Sequence, residues 1–245
     1  MTSITARTTL VGILGWPVEH SLSPRMQNAA FAALGLDWAY VPLPVPPEQV
    51  GDAVRGLQAL GFAGANVTIP HKTAVIPYCD EIEAEAADAD SVNTLVVRDG
   101  RIHGSSTDIL ALRRAVDVAG KRVLVLGRGG AAKAAAAAYT GAADVTLVSR
   151  RDPAWPPPAG DVDVVVNCTP LKDEMPVRVE ARHAVVDMAY LTDGRETALV
   201  AAARAAGCGT VVDGLDLLLS QGAASFSAWT GEAAPVEAMR AALRA

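Results

Sequence analysis

Residues 121–150 read KRVLVLGRGGAAKAAAAAYTGAADVTLVSR. An apolar run breaks at a cluster of glycines. An alanine-rich stretch follows, and a second apolar run ends in Ser149, Arg150 and Arg151. Strand, turn, helix and strand within 30 residues match the size of one βαβ unit. Gly127, Gly129 and Ala132 fill the three small-residue positions of a dinucleotide-binding turn. Glycines let the backbone turn tightly and approach a pyrophosphate, and the helix that opens next offers backbone N–H groups to the anion. Gly127, Arg128, Gly129, Gly130 and Ala131 are therefore candidate cofactor-binding residues. The five alanines at 134–138 are strong helix formers, so the tract reads as helix and not as disorder.

The end of the second strand, about 20 residues past the glycine loop, is where such units select their cofactor. An acidic residue there accepts from a ribose 2′-hydroxyl and suits NAD. Here Ser149 leaves room, and Arg150 and Arg151 offer planar, permanently charged groups suited to a 2′-phosphate. NADP is the expected cofactor. Asp152 keeps NAD open, since a small shift of the loop would bring its carboxylate to the ribose.

Strand and helix patterns alternate on both sides of this unit. TLVGILG (9–15) reads as a buried strand. SPRMQNAAFAALG (23–35) reads as a helix, with Ser23 as N-cap, Pro24 in the first turn, Gly35 as stop, and Met26, Ala30, Ala33 and Leu34 on its apolar face. A second strand and helix follow, the helix with Val50, Ala53, Val54 and Leu57 on one side. VNTLVVRDGRIHG (92–104) reads as a hairpin turning at Asp99-Gly100. After residue 150 come strands at DVVVNCT, AVVDMAY and TVVDG, a helix at RETALVAAARAAG, and two terminal helices.

GANVTIPHK (64–72) is an anomaly among these elements. Asn66 and Thr68 project from the same side of a short apolar strand. Pro70 stops the ladder at its carboxyl end, where open α/β sheets bind ligands, and Lys72 follows. Other stretches repeat this placing of polar groups at element ends: Ser21 and Ser23 in HSLSP, Asn93 in SVNT, Asp108 in STD, Gln221 in LLLSQGA. Singly, each reads as well as a cap or a satisfied buried amide.

Bulk properties narrow the classes. Of the 245 residues, 51% are hydrophobic and 20% charged, which supports a sizeable core. The formal net charge is −6 and no basic run exceeds two residues, which argues against nucleic acid or an anionic membrane surface as partner. Three scattered cysteines, Cys79, Cys168 and Cys208, suggest neither a disulfide framework nor a zinc site, and each reads as a small core residue. No metal is expected. With neither a leader pattern nor a long apolar run, the sequence reads as a cytoplasmic protein.

Taken in order, SLSP, NVTIPHK, VNT, TD, GRGGAA, NCTP, DMAY and DGLDLLLSQGA resemble the motifs of the shikimate dehydrogenase family over nearly the whole chain. The resemblance implies two α/β domains. An N-terminal substrate domain with a mainly parallel sheet would span 1–103, and the terminal helices, 217–245, would return to it. A Rossmann-type NADP domain would span 104–216. It implies reversible, NADPH-dependent reduction of 3-dehydroshikimate to shikimate, with Lys72 and Asp108 catalytic. It further implies that Ser21, Ser23, Asn66, Thr68, Asn93, Tyr190 and Gln221 bind substrate. On the cofactor side it adds Thr169, Met188 and Gly214 to the glycine loop and the Ser149–Arg151 stretch. A monomer or homodimer acting on a small molecule is expected. The chain departs from the family pattern at Ser106 and Ala111, which stand for Asn and Gly. It also departs at Lys172 for Gly, at Asp216-Leu217 for Gly-Met, and at Arg128 for Ala in the glycine loop. The rival readings are an NAD-dependent quinate/shikimate dehydrogenase, a relative acting on an aminated shikimate, and a non-catalytic ligand sensor. Retention of both Lys72 and Asp108 speaks against the sensor.

Overall fold

The first unit is built on a six-stranded sheet. The computed structural model describes residues 4–153 and 155–245, and these divide into two units. One runs to Thr107 and resumes at Leu219–Ala245; the other is Asp108–Leu218. The elements of the first are β1 (Thr9–Gly15), α1 (Ser23–Ala33), β2 (Trp38–Pro44), α2 (Val50–Ala59), β3 (Gly64–Val67), β4 (Glu81–Ile82), α3 (Ala84–Asp88), β5 (Thr94–Arg98) and β6 (Arg101–Ser105). The strand order is β2-β1-β3-β5-β6-β4. β1 runs parallel to β2 and β3, and β4 parallel to β6, whereas β5 is antiparallel to both β3 and β6. The β5–β6 hairpin causes this mixture. Its turn residues Asp99 and Gly100 both have positive φ, as a two-residue turn between twisted strands requires.

One face of the sheet packs on α2 through Val54 and Leu57, which meet Leu14, Ala65, Val67 and Leu95. Helix α1 begins one residue earlier than its punctuation suggested. The N-cap is Leu22, and Ser23 is the first helical residue. The Ser21 hydroxyl accepts the Ser23 N–H at 3.2 Å, so Ser21 supplies the capping oxygen. Its buried face is Ser23, Met26, Gln27, Ala30 and Phe31, while Ala33 and Leu34 are exposed.

Helix α4 (Thr107–Ala115) leads into the second unit, with β7 (Arg122–Leu126), α5 (Gly130–Ala138), β8 (Asp144–Val148), β9 (Val164–Asn167), β10 (Ala184–Asp187), α6 (Ala198–Ala205) and β11 (Thr210–Val212). Helix α7 (Gly214–Thr230) returns the chain to the first unit, and α8 (Val236–Arg244) completes it. The second sheet is wholly parallel, in the order β11-β10-β9-β7-β8. Its core is valine and leucine, with Leu124, Leu126, Val165, Val185 and Leu199 buried together. The order reverses at β7, with β8 on one side and β9 on the other. At such a switch point the crevice beyond the carboxyl ends of the strands is open to a ligand.

Those strand ends are stitched together. Cys168 N–H donates to Leu126 O at 2.8 Å, and Met188 N–H to Asn167 O at 2.9 Å. Asp187, fully buried at the end of β10, ties the set. Its Oδ1 accepts from Asn167 Nδ2 and from Ala189 N–H, both at 2.9 Å, and its Oδ2 accepts from the Thr197 hydroxyl at 2.6 Å. Thr197 in turn caps α6, accepting from Val200 N–H. Burial pushes the Asp187 carboxyl above the usual carboxylate range, against the pull of these three donors. The cysteines form no disulfide among the described residues; all three are partly exposed, and Cys79 and Cys208 pack against the edges of the two cores.

Packing this close makes Gly64 and Asp187 sensitive positions. A Cβ at Gly64 would lie 2.1 Å from Leu95 O and 2.5 Å from Trp229 Nε1, which itself donates to Leu95 O at 2.9 Å. Gly64→Ala is expected to cost about 1–3 kcal/mol by overpacking, read as a fall in Tm. For Asp187, the folded state holds the proton to higher pH than the unfolded chain does. Its contribution to stability is then greatest below the unfolded carboxyl pKa of about 3.9 and declines as pH rises from there to the raised folded value. Asp187→Asn should remove that slope in urea titrations at stepped pH. Asp187→Ala, which strands three donors, should cost at least about 2 kcal/mol.

Candidate functional site

The first unit carries a layer of polar side chains inside an apolar core. Strand β3 ends at Val67, and Thr68 N–H makes one more ladder bond, to Leu14 O at 2.9 Å. The chain then turns. His71 N–H reaches Thr68 O at 2.8 Å, and Lys72 O accepts Val92 N–H at 2.8 Å, fixing the backbone of the lysine. His71 is fully buried; its Nε2 lies 2.7 Å from Val45 O, so the ring donates there and clamps this turn to the segment after β2. Thr68 and Lys72 are half-buried.

Beside this turn, Asn93 organises the layer. Its Oδ1 accepts Thr107 N–H at 2.8 Å, and its Nδ2 donates to Thr107 Oγ1 at 3.0 Å and to Gln221 Oε1 at 3.3 Å. Thr107 opens α4, so Asn93 fixes the start of the helix whose first turn holds Asp108, only 5% exposed. These bonds also keep Thr107 with the first unit. Ser225 lies one turn beyond Gln221 on α7, and its hydroxyl meets Thr94 Oγ1 at 2.8 Å and accepts from Asn66 Nδ2 at 2.9 Å. Ser21 and Ser23 lie at the start of α1, Ser23 only 3% exposed.

Asn66, expected among the substrate-binding residues, is tied into this layer at both ends of its amide. Its Oδ1 accepts from Tyr40 Oη at 2.8 Å, while Nδ2 is engaged by Ser225, with Asn93 O and Thr94 Oγ1 slightly farther away. Protein groups thus meet both ends of this buried amide, and it braces the layer. Tyr40, Thr94, Thr107 and Ser225 belong to the layer but were not singled out in the sequence. The spacing of Ser225 four residues from Gln221, on one helix face, was the available signal. Ser106, at the family's asparagine position, has a buried hydroxyl without a hydrogen-bond partner among the described residues.

In the second unit the glycine loop lies against the neighbouring strand ends. Gly127 N–H donates to Val148 O at 2.7 Å. The residue has φ +124°, open only to glycine, and a Cβ would press on Cys168 O at 3.2 Å. Gly129 is the N-cap of α5, and a Cβ on it would meet nothing within 4 Å. Gly130 and Ala131 form the first turn of that helix, at the positive end of its dipole. Thr169 sits one residue past Cys168; its N–H and hydroxyl both donate to Asn167 Oδ1, at 3.0 and 2.6 Å. Met188 follows Asp187, with its sulfur 3.5 Å from Cys168 Sγ. Tyr190 is half-buried, with the Lys172 ammonium 5.7 Å from its ring centre. Gly214 is the first residue of α7.

After β8, Ser149, Arg150, Arg151 and Asp152 make a closed turn. Asp152 N–H donates to Ser149 O at 2.9 Å, and the Asp152 carboxylate accepts Ser149 N–H at 2.6 Å. Arg150 and Arg151 form the exposed tip. Arg128 reaches across from the glycine loop to pair with Asp152 at 3.2 Å. The Ser149 N–H, and after it the Arg128 guanidinium, hold the Asp152 carboxyl below the usual carboxylate range. No group of three or more side chains among the described residues is arranged to hold a metal, and no described helix is long and apolar enough to cross a membrane.

Known proteins match this arrangement. Residues 13–95 match the model of the shikimate dehydrogenase substrate binding domain, and residues 214–244 that of the shikimate 5′-dehydrogenase C-terminal domain. The chain is 42% identical to the shikimate dehydrogenase (NADP+) of Rubrobacter xylanophilus over 98% of its length and 97% of that protein. It is 41% identical to the enzyme of that name from Moorella thermoacetica, over its full length and 95% of the relative. A crystal structure of shikimate 5-dehydrogenase from Thermus thermophilus, in complex with NADP(H) and shikimate, superposes with a TM-score of 0.84. It is 30% identical and covers 96% of this chain and 98% of that one. The chain belongs to the shikimate dehydrogenase family.

Proposed function

We propose that this protein catalyses the reversible, NADPH-dependent reduction of 3-dehydroshikimate to shikimate, with the first unit binding the substrate and the second the cofactor. The observation that carries this reading is the match to the substrate-domain model over residues 13–95, which takes in Ser21, Ser23, Thr68, Lys72 and Asn93. A substrate rich in hydroxyls needs groups that both donate and accept, and the hydroxyl and amide layer beside β3 offers them. In this reading Ser21 and Ser23, at the start of α1, take the carboxylate. Asn66, Thr68, Asn93, Gln221 and Tyr190 take the remaining polar groups of the substrate. Lys72 is the proton donor to the carbonyl oxygen in reduction and, with Asp108, accepts the hydroxyl proton in the reverse direction.

The second unit suits a dinucleotide carrying an extra phosphate. The open space at Gly129 leaves room for a pyrophosphate against Gly127–Ala131 and the N-terminus of α5. Ser149, Arg150 and Arg151 would face the 2′-phosphate, while Thr169, Met188 and Gly214 would line the remainder. NADPH supplies a hydride when bound. The NAD reading rested on Asp152. Its carboxylate is engaged by Ser149 and Arg128, which favours NADP. A cytoplasmic setting and a monomeric or homodimeric state complete the proposal, in keeping with three free thiols.

Turnover assays with shikimate and with quinate, each against NADP and NAD, test the assignment. Shikimate with NADP should lead, and a quinate or NAD lead would replace it with the rival reading. Lys72→Ala should lose about 10²–10⁴-fold in kcat while shikimate binding, read by calorimetry, persists. Near-normal turnover would remove Lys72 from the chemistry. Thr68→Val keeps the shape and deletes the hydroxyl, and should cost about 1–3 kcal/mol in kcat/KM for shikimate.

A further inference from the structure

We propose that Arg128, in the glycine loop, is a further specificity-determining residue for the adenosine 2′-phosphate, and that Asp152 positions it there. This rests on the NADP reading above and adds to it a third arginine and a role for the acidic residue. In a dinucleotide-binding unit the adenosine ribose lies at the end of the second strand, here β8. Arg128 belongs to a different loop, yet its guanidinium is held at that strand end. Nη2 donates to Leu147 O at 3.3 Å, and Nε and Nη2 both face the Asp152 carboxylate, at 3.2–3.4 Å. These bonds use one edge of the guanidinium. Nη1 carries none of them, and the side chain is 60% exposed. A planar fork held along one edge presents its other donors in a fixed direction, which is how arginine reads a phosphate.

Asp152 performs two tasks at once. It closes the Ser149–Asp152 turn, setting Arg150 and Arg151 at the tip, and it anchors Arg128. Its negative charge is met by a backbone N–H and a guanidinium. The carboxylate therefore organises the arginines and does not repel the phosphate. A carboxylate at this position would ordinarily be read as selecting NAD, and the sign of its effect is here reversed.

Calorimetric titration of the ligand-free, full-length protein with adenosine 2′,5′-bisphosphate and with 5′-AMP, at one fixed salt concentration, tests this without turnover. Wild type should bind the bisphosphate more tightly. A preference for 5′-AMP would overturn the NADP reading itself. Given the expected preference, Arg128→Ala should lose roughly 5- to 20-fold for the bisphosphate and less than about twofold for 5′-AMP. Asp152→Asn should lose bisphosphate affinity in the same direction. Equal losses for the two ligands in Arg128→Ala, or a gain of bisphosphate affinity in Asp152→Asn, would overturn the proposal and leave the NADP reading standing. Melting temperatures without ligand control for folding, and Arg128→Gln, which keeps length and polarity, reads the same loss if the alanine variant does not fold.

Discussion

Burying the amide of Asn93 sets the terms for much of the first unit. A primary amide brought out of water must have its donors and its acceptor met, at a penalty of about 1–3 kcal/mol for each group left unpaired. Asn93 meets that demand with Thr107, Thr94 and Gln221. Each of those partners then has its own demand to satisfy, and Ser225, Asn66 and Tyr40 are drawn in turn. The layer reaches from β2 to α7. It fixes where α4 starts and which way Asn66 faces. Low local dielectric strengthens every bond in such a layer, so it holds its members in one arrangement.

The second unit solves a different problem. Parallel strands all finish at the same edge, and each leaves backbone groups there that the ladder no longer serves. Main-chain bonds such as Cys168 to Leu126 and Met188 to Asn167 carry the ladder one residue further. Asp187 and Asn167 then fix the loops beyond. The glycine loop joins the same edge through Gly127 and Val148. The strand ends consequently form one braced rim, and on that rim the arginines stand.

Much of this could be read from the residues alone. The βαβ unit at 121–150 was legible because its period changes from strand to helix and back within a length few other motifs share. The Asp99-Gly100 hairpin was legible because the turn needs two left-handed residues. Asn66 was legible as a polar group on a buried strand, but the partners that hold it were not. Alternation along a strand reports the direction of a side chain, not which partners reach it, and Tyr40 and Ser225 come from elements far off in sequence. Ser23 was misread as a cap because serine suits that position in general, whereas here Ser21 already supplies the oxygen. Asp152 was ambiguous for a similar reason. Its charge is visible in the sequence, but its hydrogen bond to Ser149 and its pairing with Arg128 arise only once the two loops are folded side by side.

Helix α5 lies on its sheet through Ala132, Ala134, Ala135 and Ala138, each at most 5% exposed. Alanine is the smallest residue that still favours a helix. A step down to glycine costs about 1 kcal/mol of helix propensity, and a step up in size must be forced into a close-packed interface at about 1–3 kcal/mol. These positions therefore have nowhere to drift. A run of identical small residues looks like the least informative part of the chain, yet it is among the most tightly held against mutational change. The glycine loop inherits that rigidity, because the helix following it cannot be lifted from the sheet by ordinary substitution.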